Sequence, residues 1–351
     1  PELTFPPRTA TLPTTSTRGE QRTMRKASAN GGIREIAAAT GYNISTVSRA
    51  LNNRPGVSPA AAASILQTAR ELGYRSGTTP VYAILLPDTK LGLAWYSLNM
   101  LDAMRQEAIK RNCLLEIVFS DQADILRERN ISGILSFDFS SQAVRNLKVV
   151  LPVVCVNDFS WHIADIYSVC SDIGRGIRSA VALLAAYGHR KIGLLINGDR
   201  NTESNRERAA AFEECRSVYG LDPVSSVHFR EYGTFDQPIP YLYASIREMT
   251  GRGLTAIINC GESESVEALA AARLCGLRVP EDLSLICWEV PRFSRFLDPP
   301  LTTIQQNFPL LAKRAFDMLE SLIRKEKVSS DVRVDCLIHE RGSVSVPPPE
   351  R

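Results

Sequence analysis

The chain has 351 residues, too many for one compact core, so we expect a small domain joined to a larger, two-lobed one. Its residues are 44% hydrophobic and 23% charged, with a net charge of +3, which is typical of a globular protein. No apolar run reaches the roughly 18 residues needed to span a bilayer, which argues against a membrane protein.

The charge is distributed unevenly along the chain. Residues 1–80 hold ten Arg or Lys and four Glu, a net charge of +6, whereas the remaining residues hold 31 basic and 34 acidic side chains, a net charge of −3. A basic N-terminal module attached to a slightly acidic body is expected when only the module contacts a polyanion.

Residues 1–31 are rich in Pro, Thr, Ser, Arg and Gly, and we predict a disordered arm. For its basic residues we favour a solvated tail over contacts with DNA phosphates. The segment has no apolar core of the kind found in secretory signals, so we expect a cytoplasmic protein.

Residues 32–75 predict three short helices. The first buries Ile36 and ends at Gly41, where glycine permits a left-handed turn. The second opens with Asn43 as N-cap and turns Val47 and Leu51 inward, and the third begins at Ser58, an N-cap followed by Pro. Such an arrangement is typical of a helix-turn-helix, whose second helix enters the major groove of DNA.

The exposed positions near the start of the second helix are the candidates for contacts with base edges. Arg49 is suited to a bidentate contact with guanine, Ser45 can donate or accept, and Ile44 can pack on a thymine methyl group. The full set predicted to contact DNA is Ile44, Ser45, Ser48 and Arg49 at the bases and Asn43, Asn52 and Ser58 at the phosphates. The alternative is that this segment is only a well-capped helix in a small bundle.

From residue 81 the sequence alternates short apolar runs with amphipathic segments, which predicts parallel α/β sheets in two lobes. The predicted strands are 82–86, 114–118, 133–135, 153–156, 191–196, 256–258 and 283–287. The predicted helices include 95–111, 176–187, 206–219 and 263–275.

No cofactor or metal site is predicted. The eight cysteines lie far apart without a C-x2-C pair, so we interpret them as reduced core residues, and the four histidines have no zinc-site spacing. No exact G-x-G-x-x-G follows a strand, and no P-loop motif occurs. Glu262, Glu264, Glu267 and Glu289 do not form a catalytic constellation, and a solvated helix face accounts for the first three.

The helical segment resembles the headpiece of the lactose- and galactose-repressor (LacI/GalR) family of transcription regulators. The matching residues are Ile33-Arg-Glu-Ile-Ala37, Thr40-Gly41, Thr46-Val-Ser-Arg-Ala-Leu-Asn52, Val57-Ser58 and Glu71-Leu-Gly-Tyr-Arg75. The resemblance implies a homodimer that binds a near-palindromic DNA operator, with Ile44, Ser45 and Arg49 at specificity positions and Asn52 at a phosphate.

The body resembles the family's effector-binding core, which is similar to periplasmic sugar-binding proteins. The matching motifs are Asp172-x3-Gly176, Tyr187-Gly-His-Arg-Lys-Ile-Gly193, Ser204-Asn-Arg-Glu-Arg208, the 276–284 and 299–304 segments and Leu337-Ile-His-Glu-Arg341-Gly-Ser343. The resemblance implies two lobes with a small-molecule effector, such as a sugar, in the cleft. The candidate effector residues are Arg208, Glu289, Trp288, Glu262, Asp172 and Trp95.

Three departures from the family distinguish this chain. The segment 76–80 leaves no room for the hinge helix that the family places in the minor groove, which removes its wedge for kinking the operator. The family's Asn-Asp pair reads Gly261-Glu262, and its Gly-Tyr-Asp-Asp stretch reads Cys287-Trp288-Glu289-Val290. Trp288 is suited either to stacking on a sugar or to the core.

We therefore predict a disordered arm (1–31), a helix-turn-helix headpiece (32–75), a short linker (76–80), a two-lobed core (81–346) and a tail (347–351). The predicted function is that of a ligand-responsive repressor rather than an enzyme. One alternative keeps DNA binding but makes the core a dimerisation scaffold without an effector. A solute-binding protein and a sugar-processing enzyme are the remaining alternatives.

Overall fold

The computed structural model describes residues 29–74, 79–87, 95–137, 141–157, 166–230, 238–261, 264–288 and 293–349. The predicted arm up to residue 28 and most of the predicted linker lie outside these ranges. The chain divides into two compact units, one containing the N-terminal helices together with Arg127–Asn130 and the other containing Thr79–Leu126 and the chain from Ile131 onward.

The first unit is a bundle of helices α1 (Ala29–Thr40), α2 (Ile44–Leu51) and α3 (Pro59–Glu71). Helix α2 has the predicted bounds, and α1 begins earlier than the first predicted apolar residue. Gly41, after α1, and Gly73, after α3, have φ angles of +74° and +65°, a left-handed conformation that residues other than glycine rarely adopt. The buried core of the bundle consists of Ile36, Val47, Ala50, Leu51, Ile65, Leu66 and Ala69.

The second unit contains two parallel sheets with helices on their faces. Its strands are β1 (Val81–Leu86), β2 (Leu114–Phe119), β3 (Gly133–Ser136), β4 (Val153–Val156), β5 (Tyr167–Asp172), β6 (Ile192–Asn197), β7 (Ser226–Arg230), β8 (Ala256–Asn259), β9 (Ser284–Trp288), β10 (Thr302–Gln305), β11 (Asp331–Asp335) and β12 (Leu337–His339). Its helices are α4 (Trp95–Arg111), α5 (Ser141–Leu147), α6 (Ile173–Ala186), α7 (Glu203–Val218), α8 (Pro238–Gly251), α9 (Ser265–Leu274) and α10 (Phe308–Ile323). Short 3-10 helices cover Ser120–Arg127 and Ser294–Phe296.

The strand orders define two lobes. The first sheet has the order β11-β5-β4-β3-β1-β2 and the second the order β12-β10-β9-β8-β6-β7. The strands in each pair run parallel, except that β12 runs antiparallel to β10. The chain passes between the sheets at residues 172–173, 305–308 and 335–337, so the lobes are joined by several crossing segments rather than by one linker.

The buried residues explain this architecture. Strands β3, β4, β8 and β9 are buried along their whole length, as expected for central strands covered by helices on both faces. Helices α4 and α10 cover one face of the first sheet, and α6 and α7 cover one face of the second. All the predicted strands are found, with bounds shifted by one residue at most ends.

Near the crossing segments, a buried polar cluster connects different parts of the chain. Asn157 accepts a hydrogen bond from the backbone N–H of Ser171 at 2.7 Å, and the Ser171 hydroxyl donates to Gln306 Oε1 at 2.8 Å. The amide of Asn157 donates to the same Gln306 oxygen. Because buried polar groups are costly without partners, these bonds fix the crossing geometry.

Candidate DNA-binding and ligand sites

Asn43 holds the start of helix α2. Its Oδ1 accepts hydrogen bonds from the backbone N–H of Thr46 at 2.8 Å, from the Thr46 hydroxyl at 2.9 Å and from the Ser45 hydroxyl at 2.8 Å. The side chain therefore caps a helix of only eight residues, too short to be stable alone. Its amide nitrogen remains as the group suited to donate to a phosphate.

The outward face of α2 presents three of the predicted base-contacting residues together. Ile44 is 52% exposed, Ser45 and Arg49 are exposed, and Val47 on the opposite face is fully buried. Ser48 is half-buried. Packing through Val47 thus fixes the rotation of the helix and directs a compact set of apolar, hydroxyl and guanidinium groups away from the bundle.

The two other predicted phosphate residues also have partners within the bundle. Asn52 donates through Nδ2 to the carbonyl of Ser48 at 2.7 Å, and Ser58 caps helix α3 by accepting from the Ala61 N–H at 3.3 Å. A phosphate contact by Asn52 through this nitrogen would compete with the bond to Ser48. Ser58 keeps its hydroxyl proton for donation.

Arg208 is the centre of the candidate ligand site in the second lobe. The residue lies in α7 and is only 6% exposed. Its guanidinium lies over the Trp288 ring, 4.8 Å from the centroid, and donates through Nη1 to Asn205 Oδ1 at 2.7 Å. Arg208 therefore covers this face of the ring, and Trp288 belongs to the buried core of the second lobe, the second of the two roles predicted for it.

Several buried polar atoms near the carboxyl ends of the second sheet have no hydrogen-bond partner in the described part of the chain. They are Arg208 Nε, Trp288 Nε1 and both amide atoms of Asn259. Asn259 ends β8 and Trp288 ends the adjacent β9. Ligands of α/β proteins bind at the carboxyl ends of strands, and unsatisfied buried donors are costly unless a ligand pairs with them.

The other predicted effector residues divide into two groups. Asp172 ends β5 and caps helix α6, since its Oδ1 accepts from the Arg175 N–H at 2.7 Å, so this oxygen is used structurally. Glu262 and Glu289 lie outside the described residues, as does the side chain of Trp95, which is the first residue of α4.

Glu264 corrects the prediction of a solvated acidic face on α9. The residue is only 5% exposed, and its Oε1 accepts a hydrogen bond from Asn197 Nδ2 at 2.7 Å. It occupies the N-cap position of α9 but makes no side-chain capping bond. The carboxylate is therefore directed towards the end of β6 rather than into solvent.

The asparagines at the carboxyl ends of the second sheet were not predicted as site residues from the sequence. Asn197 and Asn259 each end an apolar strand, and Asn205 lies one helical turn before Arg208. A polar residue directly after a buried strand was the signal that could have identified the first two.

Burial dominates the titration of the thiols beside this site. It raises the pKa of Cys260 to about 12, with Arg208 acting in the opposite direction and Glu264 in the same one. Burial likewise raises the pKa of Cys336 to about 12, again opposed by Arg208. Neither thiol is thus a ready thiolate. Within the described residues, no group of three or more His, Cys, Asp or Glu side chains is arranged to hold a metal ion.

Comparison with protein families agrees with the two units. The model for bacterial regulatory proteins of the lacI family matches residues 32–76, and that for a periplasmic binding protein-like domain matches residues 181–344. In the described part of the chain, no helix is both long and apolar enough to cross a membrane.

Similar proteins include the HTH-type transcriptional regulators reg1 of Streptomyces lividans and MalR of Streptomyces coelicolor. Each is 25% identical, with 91% of this chain and 98% of the relative covered. Among solved structures, a lac repressor dimer bound to operator and an anti-inducer has a TM-score of 0.63 at 20% identity, covering 89% of this chain and 98% of that one. A cellobiose complex of the regulator CelR has a TM-score of 0.62 at 21% identity, covering 89% and 99%.

A helix-turn-helix unit followed by two periplasmic-binding-protein-like lobes defines a DNA-binding transcription regulator. Its headpiece matches the lacI-family model and its core matches the periplasmic binding protein-like model, so the chain is similar over most of its length to regulators of the LacI family.

Proposed function

We propose that this regulator is a homodimeric repressor that binds a near-palindromic operator through helix α2 and responds to a small polar ligand, such as a sugar, in the second lobe. The observation that carries the DNA part is the outward set of Ile44, Ser45 and Arg49 on a helix fixed by Asn43 and Val47. A planar guanidinium matches the two acceptors of guanine in the major groove.

The ligand part of the proposal rests on Arg208. Its Nε, which has no hydrogen-bond partner among the described residues, is buried at the carboxyl ends of the strands, together with the indole N–H of Trp288 and the amide of Asn259. Donors and acceptors in one place suit hydroxyl groups, which both give and take hydrogen bonds. Proteins of similar fold contain cellobiose or ribose, which supports a sugar as the kind of ligand.

The first lobe offers a surface for the proposed homodimer. Leu98 and Ile109, three helical turns apart on α4, are 46% and 65% exposed, and Leu114 and Ile117 on the edge strand β2 are 58% and 53% exposed. Large exposed apolar groups on a helix face and along an edge strand favour a protein partner. The lac repressor of similar fold is a dimer.

We further propose that the protein has no catalytic activity, since its named relatives are transcriptional regulators. The proposal implies a cytoplasmic protein, because the DNA of a bacterium lies there. The residues of the ligand site bind and orient in this proposal, and none is assigned a reaction.

Binding-site selection from random DNA, followed by fluorescence anisotropy on the selected duplex, tests the DNA part. Arg49→Ala should weaken binding to the selected duplex by about 1–3 kcal/mol per half-site and leave binding to unrelated DNA nearly unchanged. Arg34→Ala on α1 is the matched control, since loss of a charge outside α2 should affect both DNAs alike.

An equal loss on both duplexes with Arg49→Ala would contradict base recognition by Arg49. Repeating the titration with neutral mono- and disaccharides tests the ligand part, because a ligand that distinguishes two conformations must change DNA affinity. No effect of any sugar, together with no change in melting temperature, would favour the scaffold alternative.

A further inference from the structure

Gly261 and Glu264 pack so closely that the carboxylate of Glu264 fills the space of a side chain at position 261, a contact that we call the interlock. A Cβ atom added to Gly261 would overlap the carboxylate of Glu264. That carboxylate is buried and held by Asn197, so it has little freedom to move away. The side chain missing at position 261 is thus replaced in space by a carboxylate from three residues later.

The second observation is a chain of hydrogen bonds from this carboxylate to Arg208. Asn197 donates through Nδ2 to Glu264 at 2.7 Å, and the Asn197 carbonyl accepts from Asn205 Nδ2 at 3.4 Å. Asn205 Oδ1 in turn accepts from Arg208 Nη1 at 2.7 Å. A buried carboxyl group and a buried guanidinium therefore stand at the two ends of one network.

Electrostatics at Cys260 supports the proximity of the two charges. This thiol immediately precedes Gly261, and burial is the main cause that raises its pKa; Arg208 acts to lower the pKa and Glu264 acts to raise it. Both charges therefore act on the same point at the end of β8. The ligand-site guanidinium and a buried carboxyl group thus lie near the same point of the second lobe.

We propose that Glu264, admitted by Gly261, sets the charge class of the ligand: the site binds an uncharged polyhydroxylated molecule and excludes anionic ones such as sugar phosphates and uronates. This inference rests on the proposed function, since it concerns the same ligand site. A hydroxyl group can donate to the carboxylate and accept from Arg208 Nε, so a neutral ligand satisfies both ends. Next to the described residues of the site, an added anion would bring a second negative charge to the buried Arg208, which is unfavourable in a low-dielectric environment.

Inorganic phosphate is a probe that does not depend on the identity of the natural ligand. The melting temperature of the full chain is measured against phosphate concentration for the wild type and for Glu264→Gln, which keeps an oxygen to accept from Asn197 but removes the charge. Glu264→Gln should bind phosphate at least about tenfold more tightly than the wild type, the change that corresponds to 1.4 kcal/mol. Glu213→Gln, an exposed glutamate in α7, is the charge-matched control and should behave as the wild type.

A second measurement tests the interlock without any ligand. Gly261→Ala should lower the melting temperature of the wild type and have much less effect in a Glu264→Ala background, because the overlap is then removed. An equal effect in both backgrounds would overturn the interlock. Equal phosphate binding by the wild type and Glu264→Gln would overturn the proposed charge balance.

Matched sugars separate this inference from the function on which it rests. Neutral monosaccharides and their 6-phosphates are compared as ligands of the wild type and Glu264→Gln. Stabilisation of the wild type by neutral sugars alone, with phosphates gained in the variant, supports the inference. Stabilisation of the wild type by the phosphates would overturn the inference and leave the sensor function standing, whereas no stabilisation of either protein by any sugar would overturn both.

Discussion

Removing the Asn43 side chain should loosen helix α2 locally. Asn43→Ala eliminates the bond to the Thr46 N–H and the two exposed bonds from the Ser45 and Thr46 hydroxyls. Loss of an N-cap costs about 0.5–2 kcal/mol, and with two further exposed bonds we expect about 1.5 kcal/mol. Amide hydrogen exchange in residues 44–51 should accelerate about tenfold, as measured by mass spectrometry.

Two companion variants make the result interpretable. Ser58→Ala removes one longer bond of 3.3 Å at the start of α3 and should accelerate exchange in α3 much less. Asn43→Asp retains the capping oxygen, so exchange in α2 should stay as in the wild type, but the added negative charge should weaken binding to every DNA if a phosphate lies close. Exchange in Asn43→Asp as fast as in Asn43→Ala would refute the capping argument, and unchanged DNA binding by Asn43→Asp would refute the phosphate contact.

Two further predictions concern the second unit. Arg111 of α4 lies over the Phe316 ring and forms ion pairs with Glu107 of α4 and Glu320 of α10. Arg111→Met should therefore lower the free energy of unfolding, measured in urea, by about 2–3 kcal/mol. A change near zero would show that these ion pairs do not hold the two helices together. Burial lowers the pKa of His189, so this imidazole binds a proton more readily in the unfolded chain than in the folded one. The free energy of unfolding should therefore fall as the pH drops below about 6.5, and His189 should not affect it above that pH. His189→Gln should remove that pH dependence from the urea midpoint, and an identical pH profile in the variant would contradict the assignment.

Elements with strong local determinants were predicted best from the sequence. Helix α2 was predicted with its bounds because Asn43 caps it and the break after Leu51 ends it, and strands such as β4 were recognised because every residue is buried. Strands β5, β7, β10, β11 and β12 were not predicted. Strands β7, β11 and β12 are edge strands of mixed exposure, and their pairing depends on neighbours distant in sequence. Strands β5 and β10 lie inside the sheets and are mostly buried, but their short runs mix apolar residues with Ser, Thr, Asp and Gln. Helices α5, α8 and α10 were not among the predicted helices either, although Asn307 and the Pro two residues later mark the start of α10.

For the ligand site, residue types were easier to predict than their surroundings. The family resemblance predicts Arg208 as a donor for an oxygen-rich ligand, and that role stays a prediction, whereas Glu264 was interpreted as part of a solvated face and is in fact buried. At the sequence level, Gly261 is only the loss of a polar side chain. The fold shows that the space left by Gly261 is occupied by the Glu264 carboxylate, a relation that depends on where β8 ends and α9 begins and on Asn197 from another strand.

The short connection between the two units bears on how DNA is recognised. Helix α3 ends at Glu71 and β1 begins at Val81, which leaves nine residues where the family resemblance implies a longer segment with a minor-groove helix. If that wedge contributes nothing, specificity rests on the bases contacted by α2 in each copy of the proposed dimer. A bidentate contact by Arg49 contributes about 1–3 kcal/mol and occurs twice on a palindrome. Arg49→Ala should therefore weaken the binding free energy about twice as much on a full operator as on a half-site. A ligand would then regulate binding by changing how the two copies of α2 are spaced, rather than by folding a hinge helix.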